Sequence, residues 1–320
     1  MIRFPRHARA RRPTQGHIAV TVDGLPPALR FATVSIHPLS LVSPQAKIGH
    51  NVVIGPYAIV EADTEIGDGC ELSSRVVVKS GVTLGPDNRV MEGTVLGGLP
   101  QHTQMPEKIG RVLIGAGNTF REHCTVHRAL HEGATTQIGD HNLMMVGTHV
   151  AHDCRVGNNI IFANNVLLAG HVTVEDRAFI SGAVGIHQFC RIGRLAMLGG
   201  HARVVQDVPP FVTVDGLSSC IVGLNLVGLR RGGFASAEIA ELKAAYRIIY
   251  RSGLKFSEIL QQLQAQFPSG PAAAYHAFLS QGKRGFSQER RMPPGATLKL
   301  RRPADDEESQ DFKRDRKAAG

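Results

Sequence analysis

Every sixth residue of the chain is apolar over most of its length. From Ile36, the positions Val42, Ile48, Ile54, Val60, Ile66, Leu72, Val78, Leu84, Val90 and Leu96 are all aliphatic. From Ile138 the same step gives Met144, Val150, Val156, Phe162, Leu168, Val174, Ile180, Ile186, Ile192, Leu198 and Val204. Ile114, Phe120 and Val126 keep the beat between the two blocks, and Glu132 breaks it. This is neither the period of 2 of a strand nor the 3.6 of a helix. It predicts a chain that turns a corner every six residues, with one aliphatic side chain pointing inward on each short strand. Three hexads close one triangular coil of about 18 residues, and stacked coils pair their strands in parallel about 4.8 Å apart. Glycine often follows the inward residue, as at Gly49, Gly55, Gly67, Gly85 and Gly97, so small residues are expected at the corners. The pattern resembles the left-handed parallel β-helix, the exception to right-handed crossovers; the hand is what the resemblance implies.

Composition removes other classes. Among 320 residues, 35 are Gly but without a three-residue period, which excludes collagen. No apolar run reaches 18 residues, so no spanning helix or stable membrane insertion is expected. The basic N-terminus has no apolar segment behind it, which argues against a secretory signal and for a cytoplasmic location. The net charge of +9 sits in the tails: residues 1–30 carry +5, residues 281–320 carry +4, and the body between them balances. Charge therefore gives no indication that the body binds nucleic acid. The cysteines at 70, 124, 154, 190 and 220 form no CxxC pair and read as reduced thiols.

The expected organisation is a basic N-terminal extension over 1–34 and a β-helix over 35–225. Loops 98–112 and 128–137, polar or rich in Pro and Gly, project from it. A helical domain is expected over 226–283 and a disordered charged tail over 284–320. Ile239, Leu242, Tyr246, Ile249 and Tyr250 make a helical stripe that Gly253 ends. A second helix follows with Ser257 as its cap and Ile259, Leu260, Leu263 and Phe267 inward, and a third spans about 272–281.

The histidines are arranged by the coil. Taken modulo 18, His152, His171, His187 and Gln188 fall near one vertical line on three successive coils, with His149 beside His152. Three readings are open: a metal site built on H-x-x-H-D with His171, a solvated stack of imidazoles, and a general base. In the last, Asp153 holds the tautomer of His152. No GxSxG nucleophile and no phosphate loop is present, and Cys154 sits beside the anionic Asp153, which disfavours its thiolate. Direct attack by a substrate hydroxyl needs fewer parts than a covalent intermediate.

GTHVAHDC (147–154), LLAGHV (167–172), GIHQFCRIG (185–193) and VVQDVPPFV (204–212) together closely resemble the UDP-N-acetylglucosamine acyltransferases. GLRRGGF (228–234) and AYRIIYRSG (245–253) are similar to that family's helical domain. The resemblance covers about residues 36–280. It implies a homotrimer of left-handed β-helices with active sites between neighbouring prisms. It also implies transfer of an (R)-3-hydroxyacyl chain from acyl-carrier protein to the 3-hydroxyl of UDP-N-acetylglucosamine, the first step of lipid A synthesis. On that pattern His152 is the base, Asp153 its partner, and the Gly170 N–H the oxyanion donor. His149, His127, His171, His187 and Gln188 contact or position substrate. Asn225 and Arg231 hold the donor, and Gly200 leaves the acyl groove open for a longer chain. No metal or resident cofactor is implied, since the acyl group arrives on the phosphopantetheine of the carrier protein, which basic side chains of the helical domain would recognise.

Two departures stand out. In the loop that surrounds the sugar, Gln101 matches the family, but His102 and Gln104 replace an Asp and a Lys. Gly232 replaces the second of a basic pair. Losing a carboxylate and an ammonium from the acceptor site changes what it prefers, so a 3-amino sugar acceptor is the alternative. Other hexapeptide acyltransferases and a non-catalytic scaffold are the rival classes.

Overall fold

The computed structural model describes residues 34–290. The N-terminal extension over 1–33 and the tail beyond 290 lie outside the described residues. The described chain is a left-handed parallel β-helix whose three faces are sheets of eleven, nine and eight strands. Strands on one face pair in parallel with the coil above, as His149–Val150 does with Leu167–Leu168. Each inward aliphatic therefore sits over its equivalent: Val126 under Val150, then Leu168, Ile186 and Val204. These side chains are essentially inaccessible, and burying one Val, Ile or Leu stabilises the fold by about 1.5–3 kcal/mol.

The corners are not where the glycines pointed. Positive φ recurs every sixth residue, three positions after the inward aliphatic, and most of its occupants are not glycine: Asn51, Tyr57, Asp63, Asp153, His171, Arg177 and Phe189 among them. Each such residue costs about 1–2 kcal/mol of backbone strain, which the stacked coil overcomes. Gly67 and Gly85, directly after the inward residue, have ordinary φ. They are needed because a Cβ on Gly67 would stand 2.6 Å from the Gly85 carbonyl carbon of the next coil.

The interior also holds a polar ladder that the apolar period conceals. Asn88, Asn118 and Asn142 are buried. Their Oδ1 atoms accept the N–H of Asn118, Asn142 and Ile160 in turn, each at 2.8 Å. Their Nδ2 atoms donate to Gly115, Gly139 and Gly157 carbonyls. Each side-chain oxygen and nitrogen of the ladder thus has a partner, as burial requires.

Two loops leave the coil between flanking strands. Strands Val95–Gly98 and Arg111–Ile114 bound the first, leaving 99–110; Thr125–His127 and Thr135–Ile138 bound the second, leaving 128–134. Glu132 breaks the hexad beat because it lies in the second. The neighbouring coil spacing grows from 18 residues to 30 and 24, multiples of six, so the beat resumes in phase.

After Val212–Val214 the chain pairs antiparallel with Ile221–Leu224 and enters four helices: α1 (Leu226–Arg231), α2 (Ser236–Arg251), α3 (Phe256–Gln266) and α4 (Ala273–Ser280). Leu229, Leu242, Ile249, Leu263 and Tyr275 pack with Leu195 and Phe211 of the prism. Gly253 takes φ +72° just past α2, as the stripe predicts. Ser257, expected to cap α3, lies inside it. Lys255 stands at the N-cap, where its N–H donates to Glu258 Oε2 at 2.8 Å, so the carboxylate three residues on sets the start.

The opening of the expected disordered tail is instead pinned to the prism. Phe286 bridges Asp207 and Glu289 bridges Ile221, while Glu289 accepts from Tyr246 Oη and Arg251. Arg290 pairs with Asp215.

Candidate functional site

The polar side chains gather along the nine-stranded face and its corner. His149 ends a coil on the strand His149–Val150, and His152 follows at the corner, 8% exposed. His152 Nδ1 donates to Asp153 Oδ2 at 2.8 Å, which leaves Nε2 as the free nitrogen. The same Oδ2 accepts the Leu130 N–H at 3.0 Å. The Asp153 N–H in turn donates to Thr136 Oγ1 at 2.8 Å. Asp153 is thus held at backbone and side chain, at a corner with φ +61°.

Around this pair is a cleft of about 530 Å³ lined by Gln101, His102, His149, His152, Gly170, His187, Gln188 and Arg203, with apolar wall from Leu167 and Ile186. Gly170 lies beneath the His152 ring: a Cβ there would come within 2.6 Å of Cε1 and 2.7 Å of Nε2. The Gly170 N–H has no protein acceptor among the described residues.

His152, Gly170 and Gln188 share a register, whereas His171 stands over Asp153 on the next, its N–H bonded to His152 O at 3.0 Å. The His171 ring stacks on Phe189 at 4.6 Å and 11°, and meets His152 edge-on at 5.2 Å. Burial holds its pKa below the ordinary value, with Asp153 opposing. His149 is pushed down to about 4, first by burial and then by the His127 ring 4.9 Å away. Its Nδ1 meets Thr125 Oγ1 at 2.9 Å. His127 is outside the cleft lining and donates from Nδ1 to Leu99 O at 2.6 Å.

From the first loop, His102 faces His152 edge-on at 5.8 Å. The Gln104 N–H donates to His102 Nδ1 at 3.1 Å, so Gln104 contributes backbone and its side chain is not in the lining. Asn225 and Arg231 are elsewhere. They line a groove of about 930 Å³ over the eleven-stranded face with Arg177, Phe179 and Met197. Asn225 caps α1: its Oδ1 accepts the Gly228 N–H and its Nδ2 donates to Leu195 O, both at 2.9 Å. Gly200 is at the corner between these two faces, where a Cβ would meet only Gly182 O at 3.4 Å and Ser181 Cβ at 3.9 Å.

His152, Asp153 and His171 place three potential ligand atoms within 4.8 Å of one another. The carboxylate oxygen among them already accepts two hydrogen bonds, a pattern suited to orienting an imidazole. Cys154 is pushed up to about 12, mainly by burial and to a lesser degree by Asp153, so it is no nucleophile. Leu130, Thr136 and Phe189 were not foreseen. The first acts through its backbone inside a loop, but Phe189 was readable as the corner residue 18 after His171.

No helix of the described residues is long and apolar enough to cross a membrane. Residues 207–287 match the family model for domain 2 of UDP-N-acetylglucosamine O-acyltransferase, and 45–80 match the bacterial transferase hexapeptide repeat. The acyl-[acyl-carrier-protein]–UDP-N-acetylglucosamine O-acyltransferase of Verminephrobacter eiseniae is 44% identical over 258 residues, covering 79% of this chain and 98% of its own. That of Gloeothece citriformis is 47% identical over 190 residues, 59% of this chain and 69% of its own. The UDP-N-acetylglucosamine acyltransferase structure from Francisella novicida superposes with a TM-score of 0.78 at 32% identity, covering 80% of this chain and 95% of that one. LpxA from Acinetobacter baumannii does so with 0.77 at 39%, covering 79% and 99%. With fold, helical extension and near full-length relatives in agreement, the chain belongs to the acyl-carrier-protein-dependent UDP-N-acetylglucosamine acyltransferases of lipid A biosynthesis.

Proposed function

We propose that the chain moves an (R)-3-hydroxyacyl group from acyl-carrier protein to the 3-hydroxyl of UDP-N-acetylglucosamine, with His152 as general base. The observation that carries this is the 2.8 Å bond from His152 Nδ1 to Asp153, which leaves Nε2 free in the cleft that Gly170 also lines. Nε2 takes the hydroxyl proton as the sugar oxygen forms its bond to the thioester carbonyl carbon. The oxyanion that develops accepts from Gly170 N–H, where a donor without a competing acceptor is worth most. Collapse breaks the carbon–sulfur bond, and His152 returns its proton to the departing thiolate. His149, neutral near pH 7, contacts the acceptor with His187 and Gln188, and Asp153 and His171 hold the base.

Asn225 and Arg231 lie on a different face from His152, so within one chain they do not serve the same bound donor. The proposed homotrimer resolves this by setting the groove of one copy against the cleft of its neighbour. The outward residues favour it. Leu167 (50% exposed) and Phe179 (38% exposed) stand on the nine- and eleven-stranded faces, whereas the third face presents Lys47, Glu65, Arg155 and Arg191.

One observation keeps the amine acceptor in view: His102, not a carboxylate, faces the base across the cleft. The test is transfer from a panel of 3-hydroxyacyl carrier proteins to UDP-N-acetylglucosamine and to its 3-amino analogue, with products weighed by mass spectrometry. Ester on the ordinary sugar supports the hydroxyl reading. Amide on the analogue alone assigns the departures at His102 and Gln104 to a changed acceptor, and no transfer to either removes the proposal.

A further inference from the structure

The two loops that leave the prism are fastened to each other, and the fastening ends at the base. Gln101 and His102 belong to the first loop, Leu130 to the second. Arg128 joins them. Its Nε donates to Gly110 O at 2.7 Å, its Nη2 to Ile109 O at 3.4 Å, and its backbone N–H to Gly98 O at 2.9 Å. The guanidinium lies over Gly81, where a Cβ would be 2.9 Å from Cζ. No carboxylate forms an ion pair with it among the described residues. A half-buried cation spent on two carbonyls at the root of a loop is a clamp, and its planar fork suits that task.

Beyond the clamp the chain has little slack. The Gly110 N–H donates to Ala129 O at 2.9 Å and the Arg111 N–H to Ala134 O at 3.0 Å. A Cβ on Gly110 would meet Ala134 O at 2.3 Å. Leu130 comes next, its side chain buried, and its N–H donates to Asp153 Oδ2 at 3.0 Å. That oxygen is the one bonded to His152 Nδ1. Without the Leu130 N–H, the terminal torsion of Asp153 has a broad well and the base loses one of the constraints on its direction.

We propose that Arg128 is a positioning residue for acyl transfer: by clamping the root of loop 99–110 it fixes the Leu130 N–H, which aims Asp153 at His152. The inference rests on His152 being the base. A clamp that served stability alone would lower melting temperature and leave the turnover of folded enzyme intact.

The experiment uses the full-length protein with Arg128→Ala, Arg128→Lys and Asp153→Asn, alone and combined. Arg128→Ala is expected to lower kcat about 10–100-fold, the range for lost orienting partners, with KM for the acyl-carrier-protein donor within about 2-fold. Arg128→Lys recovers part of the loss, because an ammonium reaches one carbonyl. In the Asp153→Asn background the Arg128 change adds little, since residues acting through one another are non-additive. Amide exchange read by mass spectrometry quickens in the peptide containing Leu130. Full multiplication of the two losses, or a kcat within about 2-fold of wild type, overturns the proposal. Should Arg128→Ala fail to fold, Arg128→Lys carries the same cycle. If wild-type protein transfers nothing, the functional reading fails separately, and unchanged exchange at Leu130 then overturns the clamp.

Discussion

The imidazole of His152 rests on Gly170 so closely that a methyl group there would stand 2.6 Å from Cε1. Gly170 has no positive φ, so alanine brings no backbone strain. Its only cost is the overlap, which displaces a ring otherwise held by Asp153. Gly170→Ala is expected to lower kcat about 100-fold, the scale of a misplacement near 1 Å, with a melting temperature close to wild type. Steady-state kinetics beside a thermal melt checks it; unchanged kcat would show that the ring does not work from where it lies.

Asp153 combines a strained backbone with an orienting carboxylate, and two substitutions separate them. Asn is at home in the left-handed region, so Asp153→Asn keeps the corner at φ +61°. It replaces the carboxylate that would stabilise an imidazolium by a neutral amide. A loss in kcat on the order of 10⁴-fold is expected, the scale for such a swap beside a catalytic histidine. Asp153→Ala should lose similar activity and also melt earlier, because alanine tolerates the conformation less well. Equal melting of the two variants would remove the strain argument.

Leu167 and Phe179 test the shared site. Each is a large apolar side chain on an outward strand position of a different face. Leu167→Glu or Phe179→Glu should reduce the particle mass measured by light scattering and abolish transfer, while the circular dichroism of the prism persists. A variant that keeps its mass and turnover would place the interface elsewhere.

The hexad period made the prism legible because an inward residue every six positions satisfies no other regular structure. It hid what happens between inward residues. The glycines of the period point to corners at Gly49 or Gly67, whereas the left-handed position three residues on is filled by Asp153 and His171, polar types that tolerate it, and by Phe189, which propensity does not associate with it. Asn88, Asn118 and Asn142 gave no signal, since a buried amide looks like a surface one until its partners are known. Leu130 was invisible for a simpler reason: its contribution is a backbone N–H, which every sequence supplies equally. The separation of Asn225 and Arg231 from His152 comes from folding a linear order onto three faces, and no spacing along the chain announces which face a residue will occupy.

His149 makes acid stability predictable in sign. Its side chain titrates near 6.5 in an unfolded chain, while burial first, and then the neighbouring His127, brings it down to about 4 in the fold. Between those values the unfolded chain binds the extra proton, so stability is full above about 6.5 and is lost as pH falls toward 4. His171 acts in the same direction, with burial as its larger cause. Melting temperature should therefore drop between pH 7.5 and pH 5. His149→Asn keeps a polar group for Thr125 Oγ1, bonded at 2.9 Å in the native fold, and removes the titration. The variant should show a shallower acid limb than wild type, with the remainder owed in part to His171. Superimposable pH profiles for the two proteins would mean that His149 charges freely in the folded cleft and meets the acceptor as a cation.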